Sequence, residues 1–276
     1  MPDPFSSSEN FFRPIRTGPE EARQALQPSL LNVRVSTVYP PYPIGKHIAF
    51  VCTGDDGRDY HCKDDDGPLP IRATEWVATR LADHLGVSVA ECAILENDAG
   101  QTYFGSRNPL SLGDEHRLNA ILHGQAKDEI GRPIPWLGQY LARVAALDIF
   151  LENPDRNLRN FILDNDGRIS RLRAIDFASS RFLIEFDANF PIASSNTTHV
   201  GKYLRQRHGG HHEAAFELLD RIGAIPLGVI EGIIHEMPSD WLPRDQMGGF
   251  FEVWSNGQHK ARALRIKALI EHGWEV

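Results

Sequence analysis

An aspartate, Asp155, is followed five residues later by an asparagine, Asn160, and a second acid, Asp176, closes an apolar run further along the chain. Between them Phe161-Ile162-Leu163 reads as a strand, Asp164-Asn165-Asp166-Gly167 as a tight turn and Leu172 to Ile175 as the returning strand. This order of groups suits phosphoryl transfer. One carboxylate accepts a hydroxyl proton, while an amide and a second carboxylate hold the metal ions that neutralise nucleotide phosphates. Asn153-Pro154 stops the preceding helix near Glu152, because proline disfavours a helical residue before it. Asp155 is therefore expected on a loop, rigidly held but exposed, as the base. The hairpin is expected to bring Asp176 back toward Asn160, so that two oxygen donors meet around Mg2+, a hard cation. Each residue alone has a plainer reading, since Asn and Asp favour turns and an acid can cap one.

Lys63 and Glu75 are the next candidates. Lys63 ends the third strand-like run and Glu75 lies on the helix that follows. In kinases a strand lysine contacts nucleotide phosphates and pairs with a glutamate on the neighbouring helix. An edge lysine with its amine in water and a solvated helix glutamate are the competing explanations.

The elements that must position these groups follow from periodicity and turn chemistry. Alternation over Leu31 to Thr37 predicts a strand. His47 to Thr53 and Arg58 to Lys63 predict a hairpin around Gly54-Asp55-Asp56-Gly57. Ile71 to Leu85 has helical spacing stopped by Gly86, and two short strands lie near Cys92 to Leu95 and Thr102 to Phe104. Beyond Trp136 the chain reads as helical apart from the hairpin. The clearest helices run over Gly138 to Glu152, Glu213 to Ile222, Leu227 to His235, Arg244 to Trp254 and His259 to His272. The expected class is α+β, a bilobal protein-kinase-like fold with a small β-rich N-lobe carrying one helix and a larger helical C-lobe. The expected divisions are a mobile arm over 1–29 with one short helix, Glu20 to Leu26, a nucleotide-binding lobe over 30–106 and a catalytic lobe over 107–276. The connector is placed near Ser106 to His116.

Bulk properties narrow the classes. With 276 residues, 41% of them hydrophobic and 24% charged, the chain has the composition of a soluble globular protein. A net charge of −8 argues against direct nucleic-acid binding over a broad surface. No apolar run approaches the ~20 residues of a membrane span, and the first residues lack the pattern of a secretory signal. Cys52, Cys62 and Cys92 show no C-x-x-C pairing, which suits core thiols in a reducing, cytoplasmic setting. A Cys52–Cys62 bridge across the hairpin is the alternative. His208, His211 and His212 read as loop and helix-entry residues rather than a metal site, and Trp241 and Trp254 as core.

Asn153-Pro154-Asp155-Arg156 with Asn160-Phe161, and then Ile175-Asp176-Phe177, resembles the HipA-like serine/threonine kinases, in a compact form without the N-terminal subdomain. The resemblance implies a phosphotransferase using ATP and Mg2+. In it Asp155 would be the catalytic base, Asn160 and Asp176 the metal ligands, and Lys63 the nucleotide lysine. A protein Ser/Thr acceptor is the expectation. A small-molecule or lipid acceptor, or an inactive nucleotide-binding module with an antitoxin-like partner, are the alternatives. The chain departs from familiar kinases in two places. The segment Ser36 to Gly45 is Pro-rich and holds one glycine where a phosphate loop would lie, and Asp-Phe-Ala replaces Asp-Phe-Gly. Ser36 and Thr37 are candidate autophosphorylation sites, and Ser179, Ser180, Ser194, Ser195, Thr197 and Thr198 candidate substrate-side contacts.

Overall fold

The computed structural model describes residues 32–39, 47–67, 69–107, 115–124, 135–165, 170–184, 186 and 189–272. The expected N-terminal arm with its short helix, most of the Pro-rich segment and much of the connector lie outside these residues.

Five strands come first: β1 (Val33–Tyr39), β2 (Phe50–Gly54), β3 (Asp59–Lys63), β4 (Cys92–Glu96) and β5 (Thr102–Arg107), with helix α1 (Ile71–His84) between β3 and β4. Local signals form the two hairpins. Gly57, at φ +74°, turns β2 into β3, and the Asn97 side chain accepts the N–H groups of Ala99 and Gln101 between β4 and β5. Gly86, at φ +71°, ends α1 with its N–H on the Asp83 carbonyl while Val87 N–H reaches Ala82. The pattern of hydrophobic residues does not foretell closure. The order β1-β2-β3-β5-β4 closes into a barrel because β1 runs parallel to β4, pairing Val33 with Leu95 and Arg34 with Glu96.

Val33, Cys52, Tyr60, Cys62, Ala93, Leu95 and Tyr103 fill the barrel. The cysteines are free, with their sulfurs 3.3 Å apart, so the alternative of a Cys52–Cys62 bridge is not realised. Space inside is short. A Cβ on Gly105 would lie 2.0 Å from Leu95 Cδ2.

Beyond the barrel come α2 (Glu115–His123), α3 (Pro135–Phe150), the hairpin β6 (Phe161–Asn165) and β7 (Ser170–Ala174), then α4 (Asn196–His208), α5 (His212–Gly223), α6 (Leu227–His235), α7 (Arg244–Ser255) and α8 (Gln258–Glu271). Helix α2 is an addition to the sequence reading, whereas α4 falls in the stretch that reads as helical without being one of its clearest helices. The former is short, and NTTHVGKYLRQRH in the latter has too few apolar positions to show a helical period. His208 closes α4 and His212 opens α5. His208 Nε2 donates to the Leu122 carbonyl and His211 Nε2 to that of His208.

One apolar core runs from α1 to α8, including the buried Trp241 and Trp254. Helix α1 is fastened to the helical part along its length. Trp76 Nε1 donates to Ile233 O at 3.1 Å and packs edge-on against Trp241, Arg80 pairs with Glu236 at 3.0 Å and Arg72 with Asp240 at 3.3 Å. Arg262 of α8 caps α3, donating to the Ile149 and Phe150 carbonyls at 2.9 Å each.

Gly105→Ala is expected to force the barrel interior apart and to destabilise the chain by about 1–3 kcal/mol, read as a lower midpoint in urea unfolding. An unchanged midpoint would show that Leu95 can move aside.

Candidate active site

The site begins at the end of α3. Asp148 is completely buried and is the partner of Arg156, eight residues on. Arg156 Nε reaches Asp148 Oδ2 at 2.7 Å and Nη2 reaches Oδ1 at 2.8 Å, a bidentate pair. The remaining Nη1 donates to the carbonyls of Asn160 at 3.0 Å and Ile175 at 2.5 Å. The guanidinium also lies over the rings of Phe177 at 4.8 Å and Phe161 at 5.6 Å. Burial acts against its charge, but Asp148 outweighs burial and raises its pKa further. Asn153 Nδ2 donates to Asp148 Oδ1 at 2.8 Å. Both sides of the Asn153-Pro154-Asp155-Arg156 loop are thus tied to one buried carboxylate.

The other side of the loop rests on the start of α4. Ser195 caps that helix, accepting Thr198 N–H. Thr197 Oγ1 donates to Asn153 O at 2.5 Å and accepts Arg156 N–H at 3.0 Å. Thr197, Thr198 and Ser180 are buried, so these three expected substrate-side residues face inward instead. Thr198 Oγ1 donates to Ile192 O. Asp155, on this loop, is partly exposed, and its carboxylate accepts Asn196 Nδ2 at 2.6 Å.

Asn160 ends a short 3-10 turn, Leu158–Asn160, and donates through Nδ2 to the Asp155 carbonyl at 3.3 Å. Its own carbonyl accepts Ile175 N–H at 3.0 Å. The hairpin β6–β7, paired from Phe161–Ala174 to Asn165–Ser170, therefore returns Asp176 to the neighbourhood of Asn160.

Lys63 is buried at the end of β3, its amine 2.5 Å from Glu75 Oε1 on α1 and 2.7 Å from Asp176 Oδ1. Glu75 Oε1 also accepts Phe177 N–H at 3.0 Å. Burial acts to lower the Lys63 pKa, but Glu75 and then Asp176 outweigh it and hold the amine above its ordinary value. Burial pushes the Glu75 carboxyl up, with Lys63 opposing. At Asp176 burial acts to raise the pKa, and Lys63 overrides it and lowers it. The signs set the working range of the Lys63–Asp176 pair. Asp176 contributes stability above the ordinary aspartate value near ~3.9 and loses it as pH falls through its lowered value. Lys63 contributes below ~10.4 and loses its share as pH rises through its raised value.

All five residues expected from sequence thus stand in one connected region. Lys63, Glu75 and Asp176 touch directly, and Asp155 and Asn160 are joined to them through the backbone of the hairpin. Asp148 and Asn196 are additions to the sequence reading, and Thr197, expected on the substrate side, instead braces the loop. Asp148 lies inside an apolar helix, and the α4 residues lie some forty residues downstream with no local signal.

The sequence profile of the HipA-like kinases matches residues 35–253. The chain belongs to the HipA-like kinases. Among solved structures, the proinflammatory kinase CtkA of Helicobacter pylori superposes with a TM-score of 0.54 at 14% identity, over 85% of this chain and 99% of that one. A chain of the Shewanella oneidensis MR-1 toxin–antitoxin complex of HipA, HipB and operator DNA aligns at a TM-score of 0.49 and 16% identity, over 96% of this chain and 74% of that one. No curated protein sequence gives a significant match. The α+β fold of this HipA-like kinase is kinase-like. No helix among the described residues is long and apolar enough to cross a membrane.

Asp148→Ala is expected to strand the Arg156 charge in the interior and cost about 3–5 kcal/mol of stability, measured by equilibrium denaturation. A loss below ~1 kcal/mol, the range of exposed ion pairs, would show that the buried pair is not what holds the loop.

Proposed function

We propose that this HipA-like kinase transfers the γ-phosphoryl group of Mg2+-bound ATP to a hydroxyl, and that the acceptor is a protein Ser or Thr. One observation carries the reading: a buried lysine held between Glu75 and Asp176, with Asp176 tied through Ile175 to Asn160 and on to Asp155. The Ser/Thr acceptor is what the motif resemblance implies. In this reading the β-rich lobe over 30–106, whose barrel has its own apolar filling, and the catalytic lobe over 107–276 enclose the nucleotide.

The residues suit the metal. Asn160 uses its amide nitrogen on the Asp155 carbonyl, which leaves Oδ1 as an acceptor, and Asp176 keeps a carboxylate oxygen beyond the one that meets Lys63. Two oxygen ligands completed by phosphates and water are the usual Mg2+ arrangement in such enzymes. Asn160 and Asp176 would hold the ion, whose chemistry is to neutralise charge on the phosphates. Lys63 orients the phosphates and Glu75 fixes Lys63. Asp155 takes the proton of the acceptor hydroxyl as its oxygen bonds to the γ-phosphorus. The bond from that phosphorus to the β–γ bridging oxygen breaks, and ADP leaves with the electron pair.

Asp155→Ala and Asp176→Ala are each expected to lower turnover at least ~100-fold, the scale on which single electrostatic groups act in catalysis, with circular dichroism unchanged. Wild-type phosphorylation by either variant would remove the assignment. The acceptor class is read by incubating the protein and γ-labelled ATP with a proteome extract and with a small-molecule panel. Label on protein Ser or Thr is expected. Label on small molecules alone would reassign the acceptor.

A further inference from the structure

Asp155 is placed by its backbone, but a base must also be aimed. Its N–H donates to Asn153 Oδ1 at 3.2 Å, and its carbonyl accepts the side-chain amides of Asn160 at 3.3 Å and Asn157 at 3.4 Å. None of these contacts fixes the carboxylate about its own side-chain torsions. The short contact from Asn196 Nδ2 to Asp155 Oδ1, at 2.6 Å, does. The NH2 end of an amide is the end that faces a carboxylate, since two acceptor oxygens at that distance would repel.

Asn196 is in turn held where it can do this. It is the first residue of α4, between the Ser195 cap and Thr197. Thr197 is buried and fastened to the catalytic loop through Asn153 O, Arg156 N–H and a bond from its own N–H to Pro154 O at 3.3 Å. The start of α4 therefore cannot shift relative to Asp155 without breaking a buried set of bonds. Asn196 itself is exposed.

We infer that Asn196 is a positioning residue for phosphoryl transfer: its amide pins Asp155 Oδ1 and thereby aims Oδ2 at the acceptor hydroxyl. This rests on Asp155 being the base. The role asks for a neutral donor. A merely structural role at the first position of a helix makes the opposite demand, because an acid there is favoured by the helix dipole. Asn196→Asp separates the two. It matches asparagine in size and suits the helix terminus, but sets a second carboxylate against Asp155.

The test uses the full chain with γ-labelled ATP, Mg2+ and a mixed Ser/Thr peptide array, comparing wild type, Asp155→Ala, Asn196→Ala and Asn196→Asp. Melting temperature and calorimetric binding of Mg·ATP are measured for each. Both Asn196 variants are expected to lose ~10- to 100-fold in turnover, the cost of a misaimed reacting group. Their Mg·ATP affinity should be unchanged, and Asn196→Asp should stay folded, its gain at the helix terminus offset by repulsion from Asp155. If Asp155→Ala is inactive while both Asn196 variants turn over like wild type, the positioning role is overturned and the base assignment stands. If Asn196→Asp is as active as wild type and only Asn196→Ala fails, the residue is structural. If Asp155→Ala equals wild type, or wild type transfers nothing, the base reading falls and this inference with it.

Discussion

The buried pair of Asp148 and Arg156 is the constraint on which the rest of the site depends. Two charges taken out of water cost several kcal/mol each unless every lone pair and proton finds a partner. Here the carboxylate takes two guanidinium nitrogens and an asparagine amide, and the third guanidinium nitrogen donates to two carbonyls while the rings of Phe161 and Phe177 lie against the group. Those partners come from α3, the Asn153–Arg156 loop, β6 and the residue after β7. Satisfying one buried charge therefore fixes four pieces of chain against each other. Lysine could not replace Arg156, because a single ammonium lacks the planar fork that grips a carboxylate and still reaches two carbonyls.

A second set of contacts fixes the other half of the site. Glu75 sits on α1, and α1 is fastened to α6 and the segment after it by Arg72, Trp76 and Arg80. Trp241 is shared. It packs on Trp76, lies under the Arg72 guanidinium at 5.6 Å and donates through Nε1 to Thr102 Oγ1 on β5 at 2.9 Å. Withdrawing Glu75 from Lys63 by moving α1 would expose these aromatic surfaces and break the ion pairs together. The Lys63–Glu75 contact is thus built into the packing of the fold.

Local physics made much of this readable in advance. Asp55-Asp56-Gly57 and Asn97 to Gly100 carry turn chemistry, Gly86 carries a helix stop, and helix periods are strong in α1 and α5. Chain order then places Lys63, Asp155, Asn160 and Asp176, each at the end or turn of an element whose boundary is marked, while Glu75 lies within α1 and is picked out by following Lys63. What stayed hidden is non-local. The parallel closure of β1 on β4 depends on pairing across some sixty residues, and no single segment encodes it. An arginine beside an aspartate on a polar loop looks solvated, and only the fold shows that Arg156 faces inward. Asn196 and Thr197 stand in a segment too polar to mark where its helix begins, so nothing local places them beside Asp155.

The two halves meet at one backbone conformation. Asp176 has φ +63°, in the left-handed region that costs most residues energy and that Asp tolerates better than most. The turn points its carboxylate at Lys63 while the next residue, Phe177, sends its N–H to Glu75 and its ring under Arg156. A closed circuit results: from Arg156 through the Ile175 carbonyl to Asp176, across Lys63 to Glu75, and back through Phe177 to Arg156. Each contact in that ring is made by a residue already held by another contact in it, so no member can relax alone. A left-handed aspartate is what such a ring requires. The left-handed turn at Asp176 thus lets its carboxylate and the Phe177 N–H serve one lysine–glutamate pair, which ties the barrel to the Asn153–Arg156 loop.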